Sequence, residues 1–131
     1  MKRFSILPLL AALAACGEDS TGPICTSDVR AGLAVEVVDA TTGASLAPGA
    51  LVWARSGSFT DTLRFHGPPD EYRGAEERPG VYTVVAEHTD YVRWRRDFVI
   101  VTADECHVVT RELRAELALD RIVATASAKS D

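Results

Sequence analysis

The sequence predicts an all-β fold, a single antiparallel β-sandwich of about seven strands. Three observations carry that expectation. Short segments alternate apolar and polar residues with a period of two, the spacing that turns one side of a strand to a core and the other to water. Clusters of Gly, Pro, Asp and Thr separate these segments at close intervals. The chain has 131 residues, 47% hydrophobic and 25% charged, with a mean hydropathy of +0.02. That is the size and balance of one folded domain, and it excludes a disordered or collagen-like chain.

The N-terminus reads as an export signal. Lys2 and Arg3 precede twelve residues, Phe4 to Ala15, in which only Ser5 is polar and Pro8 interrupts. A helix that spans a bilayer takes about 20 apolar residues, so this run is too short. A charged start, a short apolar run and small residues before a break are the pattern of a secretory signal peptide, here residues 1–15. Leu13-Ala14-Ala15-Cys16 resembles the bacterial lipobox, in which the cysteine is lipidated and becomes the new N-terminus. Gly17 follows, where an aspartate would mark retention at the inner membrane. The expectation is a cell-envelope protein with a palmitate-type lipid anchor on Cys16, at the outer membrane. Acyl chains hold such a protein by about 0.8 kcal/mol per buried CH₂.

Cleavage before Cys16 leaves 116 residues with twelve basic and nineteen acidic side chains, a net charge of −7. Phosphate binding needs a positive surface, so no nucleic-acid partner is expected. Residues 16–23 hold the cysteine and a small, polar, turn-rich tether. Residues 24–119 are the expected sandwich, and 120–131, rich in Ala, Ser and Thr, an expected disordered tail. A core this small benefits from a staple. Cys25 and Cys106 sit at the start of the folded segment and just before its last element, and the envelope is oxidising. A disulfide between them is expected.

The strands follow in order. Leu33, Val35 and Val37 alternate with Ala34 and Glu36, a strand reaching Asp39. Gly43 supplies the positive φ of the turn that follows. Ala50 to Arg55 is a second strand and Phe59 to Phe65 a third. His66 to Gly80 holds many breakers and charges and reads as a long loop. Gly80 to Glu87 is a fourth strand, with Tyr82, Val84 and Ala86 on one face. Val92 to Val101 is a fifth, in which Phe98 and Ile100 continue the face of Trp94 and Arg96 breaks the pattern as a bulge would. The stretch from His107 to Leu119 alternates cleanly but is also rich in helix formers; the β-formers at its start favour a strand.

Three segments together resemble a known family. They are Val35-Glu36-Val37-Val38-Asp39-Ala40-Thr41-Thr42-Gly43, then Leu46 to Val52, then Gly80-Val81-Tyr82-Thr83-Val84 with Tyr91. In that order they resemble the carboxypeptidase regulatory-like domain, over roughly residues 31–101. The resemblance implies an Ig-like or transthyretin-like sandwich without catalytic activity, and it carries over no functional residues. Asp90 stands before Tyr91 where the family often has glycine.

Chemistry-bearing motifs are sparse. His66, His88 and His107 form no local metal motif, Ser56-Gly57-Ser58 is no nucleophile elbow, and there is no glycine-rich phosphate loop. The acidic run Asp61, Asp70, Glu71, Glu76 and Glu77 lacks calcium-loop spacing. No cofactor, metal or catalytic residue is assigned, and the chain is not expected to be an enzyme. The residues singled out for contact with a partner are Tyr91, Arg93, Trp94 and Arg95, because arginine and aromatic side chains dominate binding hot spots. The leading expectation is a structural or protein-interaction domain. The alternative is a module for envelope glycan or another polymer, using Trp53, Trp94 or Tyr72. An enzyme would need a histidine and acidic residues brought together by the fold.

Overall fold

A computed structural model describes residues 22–129. The expected signal peptide, Cys16 and most of the tether lie outside the described residues. In chain order the elements are β1 (Leu33–Asp39), β2 (Leu51–Ser56), β3 (Phe59–Thr62), β4 (Arg64–His66), β5 (Glu71–Gly74), β6 (Gly80–Glu87), β7 (Trp94–Val101), β8 (Arg111–Leu117) and the helix α1 (Arg121–Ala128). The strands form a sandwich of two four-stranded sheets, β4-β5-β1-β8 and β3-β2-β6-β7.

The core is what the alternation demands. Leu33, Val35 and Val37 of β1 and Leu113, Ala115 and Leu117 of β8 face Val52 and Ala54 of β2 and Tyr82, Val84 and Ala86 of β6, all buried. Tyr82 is the largest fully buried side chain, and its hydroxyl reaches the carbonyl of Arg78 at 2.8 Å. A buried tyrosine is stable only with such a partner for its polar end.

The sandwich has eight strands where about seven were expected, and two features raise the six segments read from the sequence to that number. The segment Phe59–Phe65 is not one strand. After Thr62 the chain leaves the β2 sheet and sinks Leu63 into the core, where its N–H donates to the carbonyl of Val52 at 2.9 Å. It then enters the other sheet as β4. The expected long loop also contains β5, which pairs with both β1 and β4.

The sandwich is not wholly antiparallel either. β8 runs parallel to β1, in register from Leu33↔Arg111 to Asp39↔Leu117. The cause is the connection after β7, residues 102–110, which turns the chain back at the end of the sandwich where β1 begins. β1 and β8 therefore enter from the same end. The ambiguous last segment is a strand, beginning at Arg111 rather than near His107. Where a disordered tail was expected, Arg121–Ala128 is helical.

The face of β7 corrects a further expectation. Val99 and Val101 are buried, while Phe98 is 84% exposed and Ile100 also faces solvent. The register slips between Tyr82↔Val99 and Val84↔Arg96, so Asp97 and Phe98 together oppose Thr83. One extra residue in a strand reverses every side chain beyond it. The bulge therefore lies just after Arg96, and Phe98 takes φ +57° within it. Elsewhere Gly43 has φ +72°, as its turn requires, and Asp90 takes the left-handed φ of +69° before Tyr91.

Candidate functional site

The four residues expected to form a contact patch do not share one surface. Trp94 lies opposite Ala86 and packs against the core from its rim, with the Arg96 guanidinium 5.6 Å above its ring. Arg95, the next residue, lies on the outer face of the same sheet. It makes hydrogen bonds of 2.9–3.2 Å to Asp97 and holds that carboxyl below its ordinary range, with the Thr83 hydroxyl helping. Arg93 is ion-paired with Glu87 on the neighbouring strand. Tyr91 donates its hydroxyl to Asp39. These four sit at or near the end of the sandwich where β1 finishes, three of them engaged with acidic partners of their own. Of the aromatics named for glycan contact, Tyr72 is only 3% exposed and Trp94 is turned inward, which leaves Trp53.

The opposite end is built around the staple. Cys25 and Cys106 form a disulfide, with a Cα–Cα distance of 5.2 Å across 81 positions of sequence. Beside it lies a cluster that no local motif announced. His107, only 8% exposed, has Nδ1 at 2.7 Å from Glu77 Oε1 and Nε2 at 3.1 Å from the Thr26 hydroxyl. The backbone N–H groups of Arg30 and Val108 also donate to the Glu77 carboxylate. The first of these contributes most to holding the carboxyl of Glu77 below its ordinary range. Asp104 accepts from the N–H groups of His107 and Cys106 and is lowered by them.

A hydroxyl, an imidazole and a carboxylate in line are the parts of an acyl-transfer relay. Here, however, the carboxylate also ties down two connecting segments, through the N–H groups of Arg30 and Val108, and the Thr26 hydroxyl lowers the carboxyl of Asp28. The cluster joins the N-terminal segment, the turn before β6 and the connection before β8 into one knot. A cleft of about 570 Å³ opens next to it, flanked by Ile24, Arg30 and Asp104.

The third feature is a shallow groove of about 590 Å³ on the outer face of the β2-β6-β7 sheet. Its side chains come from three adjacent strands. Trp53, Val85 and Arg95 stand in one row across the sheet, and Arg55 stands opposite Thr83 in the next. Val81 and the bulged Phe98 line its far end. Trp53 and Trp94 thus face opposite sides of one sheet and offer no common aromatic platform. Among the described residues, no three His, Cys, Asp or Glu side chains converge in a way that would hold a metal ion.

Comparison with known proteins adds no assignment: no protein-family model matches the chain, and no curated protein sequence does.

Proposed function

We propose that the chain is a cell-envelope lipoprotein, lipid-anchored through Cys16. Its single sandwich, of carboxypeptidase regulatory-like type, has a structural or protein-interaction role and no catalytic one. The observation that carries this reading is the disulfide. It uses Cys25 and Cys106, and the third cysteine is the one set in Leu13-Ala14-Ala15-Cys16. The odd count then resolves into one lipid site and one staple, both at home in the envelope.

The short tether joins the anchor to the disulfide end of the sandwich. Eight residues separate Cys16 from Cys25, a reach of about 30 Å at full extension. The disulfide end of the sandwich would then face the membrane. The end carrying Tyr91, Arg93 and Trp94 would lie about 20 Å further out, the length of β1, and be open to an envelope partner. The geometry of Glu77 and His107 favours the non-catalytic reading, because a carboxylate committed to two backbone N–H groups acts as a rivet.

Metabolic labelling with palmitate tests the anchor. The protein should take up label and partition with membranes, and Cys16→Ala should lose both properties. Label retained by Cys16→Ala would overturn the lipoprotein reading.

A further inference from the structure

We infer that the groove on the outer face of the β2-β6-β7 sheet is a binding site for an acidic saccharide, a chain of sugars bearing carboxylates. The inference goes beyond the envelope-anchor reading and does not depend on lipidation of Cys16.

The argument starts from Phe98. A bulky residue with φ in the left-handed region is strained, and most proteins place glycine or asparagine there. The fold instead holds a phenylalanine at φ +57° and leaves 84% of it in water. A residue that costs the backbone strain and adds nothing to the core gains its value at the surface. Trp53, half-buried on β2, also lines the groove, so two aromatic side chains border it. Apolar ring surface beside a few placed polar groups is the composition of a small-ligand site.

Charge decides the class of ligand. Arg95 is engaged by Asp97, but Arg55 is not neutralised. Its Nε donates to the carbonyl of Gly57 at 3.0 Å, and among the described residues its terminal nitrogens have no partner and no carboxylate within ion-pairing distance. The bond to Gly57 holds the guanidinium in place with its fork open. In a chain with more acidic than basic residues, an oriented, unpaired guanidinium beside two aromatics is complementary to a carboxylate on a ring-shaped, partly apolar ligand. An added β-strand is the poorer occupant, because the bulge at Asp97 and Phe98 disrupts the free edge that β7 would offer.

Isothermal titration of the full-length protein in detergent with trigalacturonate tests the site. Maltotriose serves as the neutral counterpart, and poly-glutamate as a polyanion without sugar rings. Trigalacturonate should bind at least about tenfold more tightly than either, and more weakly as salt rises. Arg55→Gln, an exposed change, should weaken it about tenfold. Phe98→Gly should weaken binding while raising the melting temperature, because it removes the ring and relieves the strain together. That opposition separates loss of the site from loss of the fold. Absence of binding to trigalacturonate at millimolar concentration would overturn the inference. So would equal affinity for maltotriose or poly-glutamate, or unchanged affinity in Arg55→Gln and Phe98→Gly.

Discussion

The Tyr91 hydroxyl donates to Oδ2 of Asp39 at 2.7 Å, joining residues 52 positions apart. The other carboxylate oxygen of Asp39 accepts from the backbone N–H groups of Thr41 and Thr42, at 2.7 and 2.8 Å. One side chain therefore shapes the turn that leaves β1 and pins the segment that leads into β7. Two further backbone bonds close the same corner, from Val92 to Ala118 and from Asp120 to Asp90. The Asp39 carboxyl is held below its ordinary range, first by the Tyr91 hydroxyl and then by the turn, and Tyr91 is raised in return.

If the turn and the tyrosine share one carboxylate, their removal should not be additive. Asp39→Asn and Tyr91→Phe should each lower the urea midpoint, and the double variant should lose less than the two losses combined. Neighbours in one hydrogen-bond network behave this way, whereas independent sites add. Strict additivity across the cycle would show that the contact carries no coupling.

The disulfide closes a loop of about 80 residues around nearly the whole sandwich. On the chain-entropy account, such a crosslink stabilises by roughly 4–5 kcal/mol through its effect on the unfolded chain. Reduction, or the paired change of Cys25 and Cys106 to serine, should therefore lower the unfolding free energy by about that much without altering the strand content. Urea titrations with and without reductant measure it. An unchanged midpoint would contradict the chain-entropy account of this crosslink.

Strands whose alternation is long and uninterrupted, β1 and β6, were legible from residue types alone. What escaped depends on partners far away in the chain. β5 is four residues among charges and turn formers, and only its pairing with β1 and β4 makes it a strand. The crossing at Leu63 cannot be read from Phe59–Phe65, because both halves alternate in phase. A bulge at Arg96 is legible in the sequence, but its effect on Phe98 and Ile100 is not: parity beyond an inserted residue depends on where the insertion falls. Glu77 and His107 lie 30 positions apart in no motif, so their contact had no local signature. Residue type alone groups Trp53 with Trp94, and only strand register shows that they face opposite ways.

Gly74, the last residue of β5, is required for lack of space. A Cβ built there would stand 2.6 Å from Asp61 Oδ2 and 2.9 Å from Leu63 Cγ. Neither neighbour can yield easily, because Asp61 accepts the N–H of Ala75 at 2.7 Å and Leu63 is in the core. Gly74→Ala should destabilise by about 1–3 kcal/mol, the usual cost of forcing extra volume into a packed site. Gly22→Ala, with nothing within 4 Å, is the neutral control. Equal melting temperatures for the two variants would contradict the crowding at β5.

The knot at the disulfide end should make stability depend on acid in a residue-specific way. Glu77 is lowered first by the Arg30 N–H; desolvation opposes this as the next largest effect, and His107 and the Val108 N–H lower it further. A carboxyl depressed in the folded state stabilises above its unfolded pKa of about 4.3, and that contribution vanishes as pH falls through the folded value below it. Glu77→Gln keeps the size and one acceptor but not the charge. The variant should thus be less stable than the parent at pH 5, and the gap should narrow as pH falls through the folded value of Glu77, which lies below its unfolded one. Denaturant midpoints measured across that range provide the comparison. A gap that does not narrow at any pH between 5 and the acid unfolding of the parent would show that Glu77 works there through shape alone, and that its charge does not hold the N-terminal segment to His107.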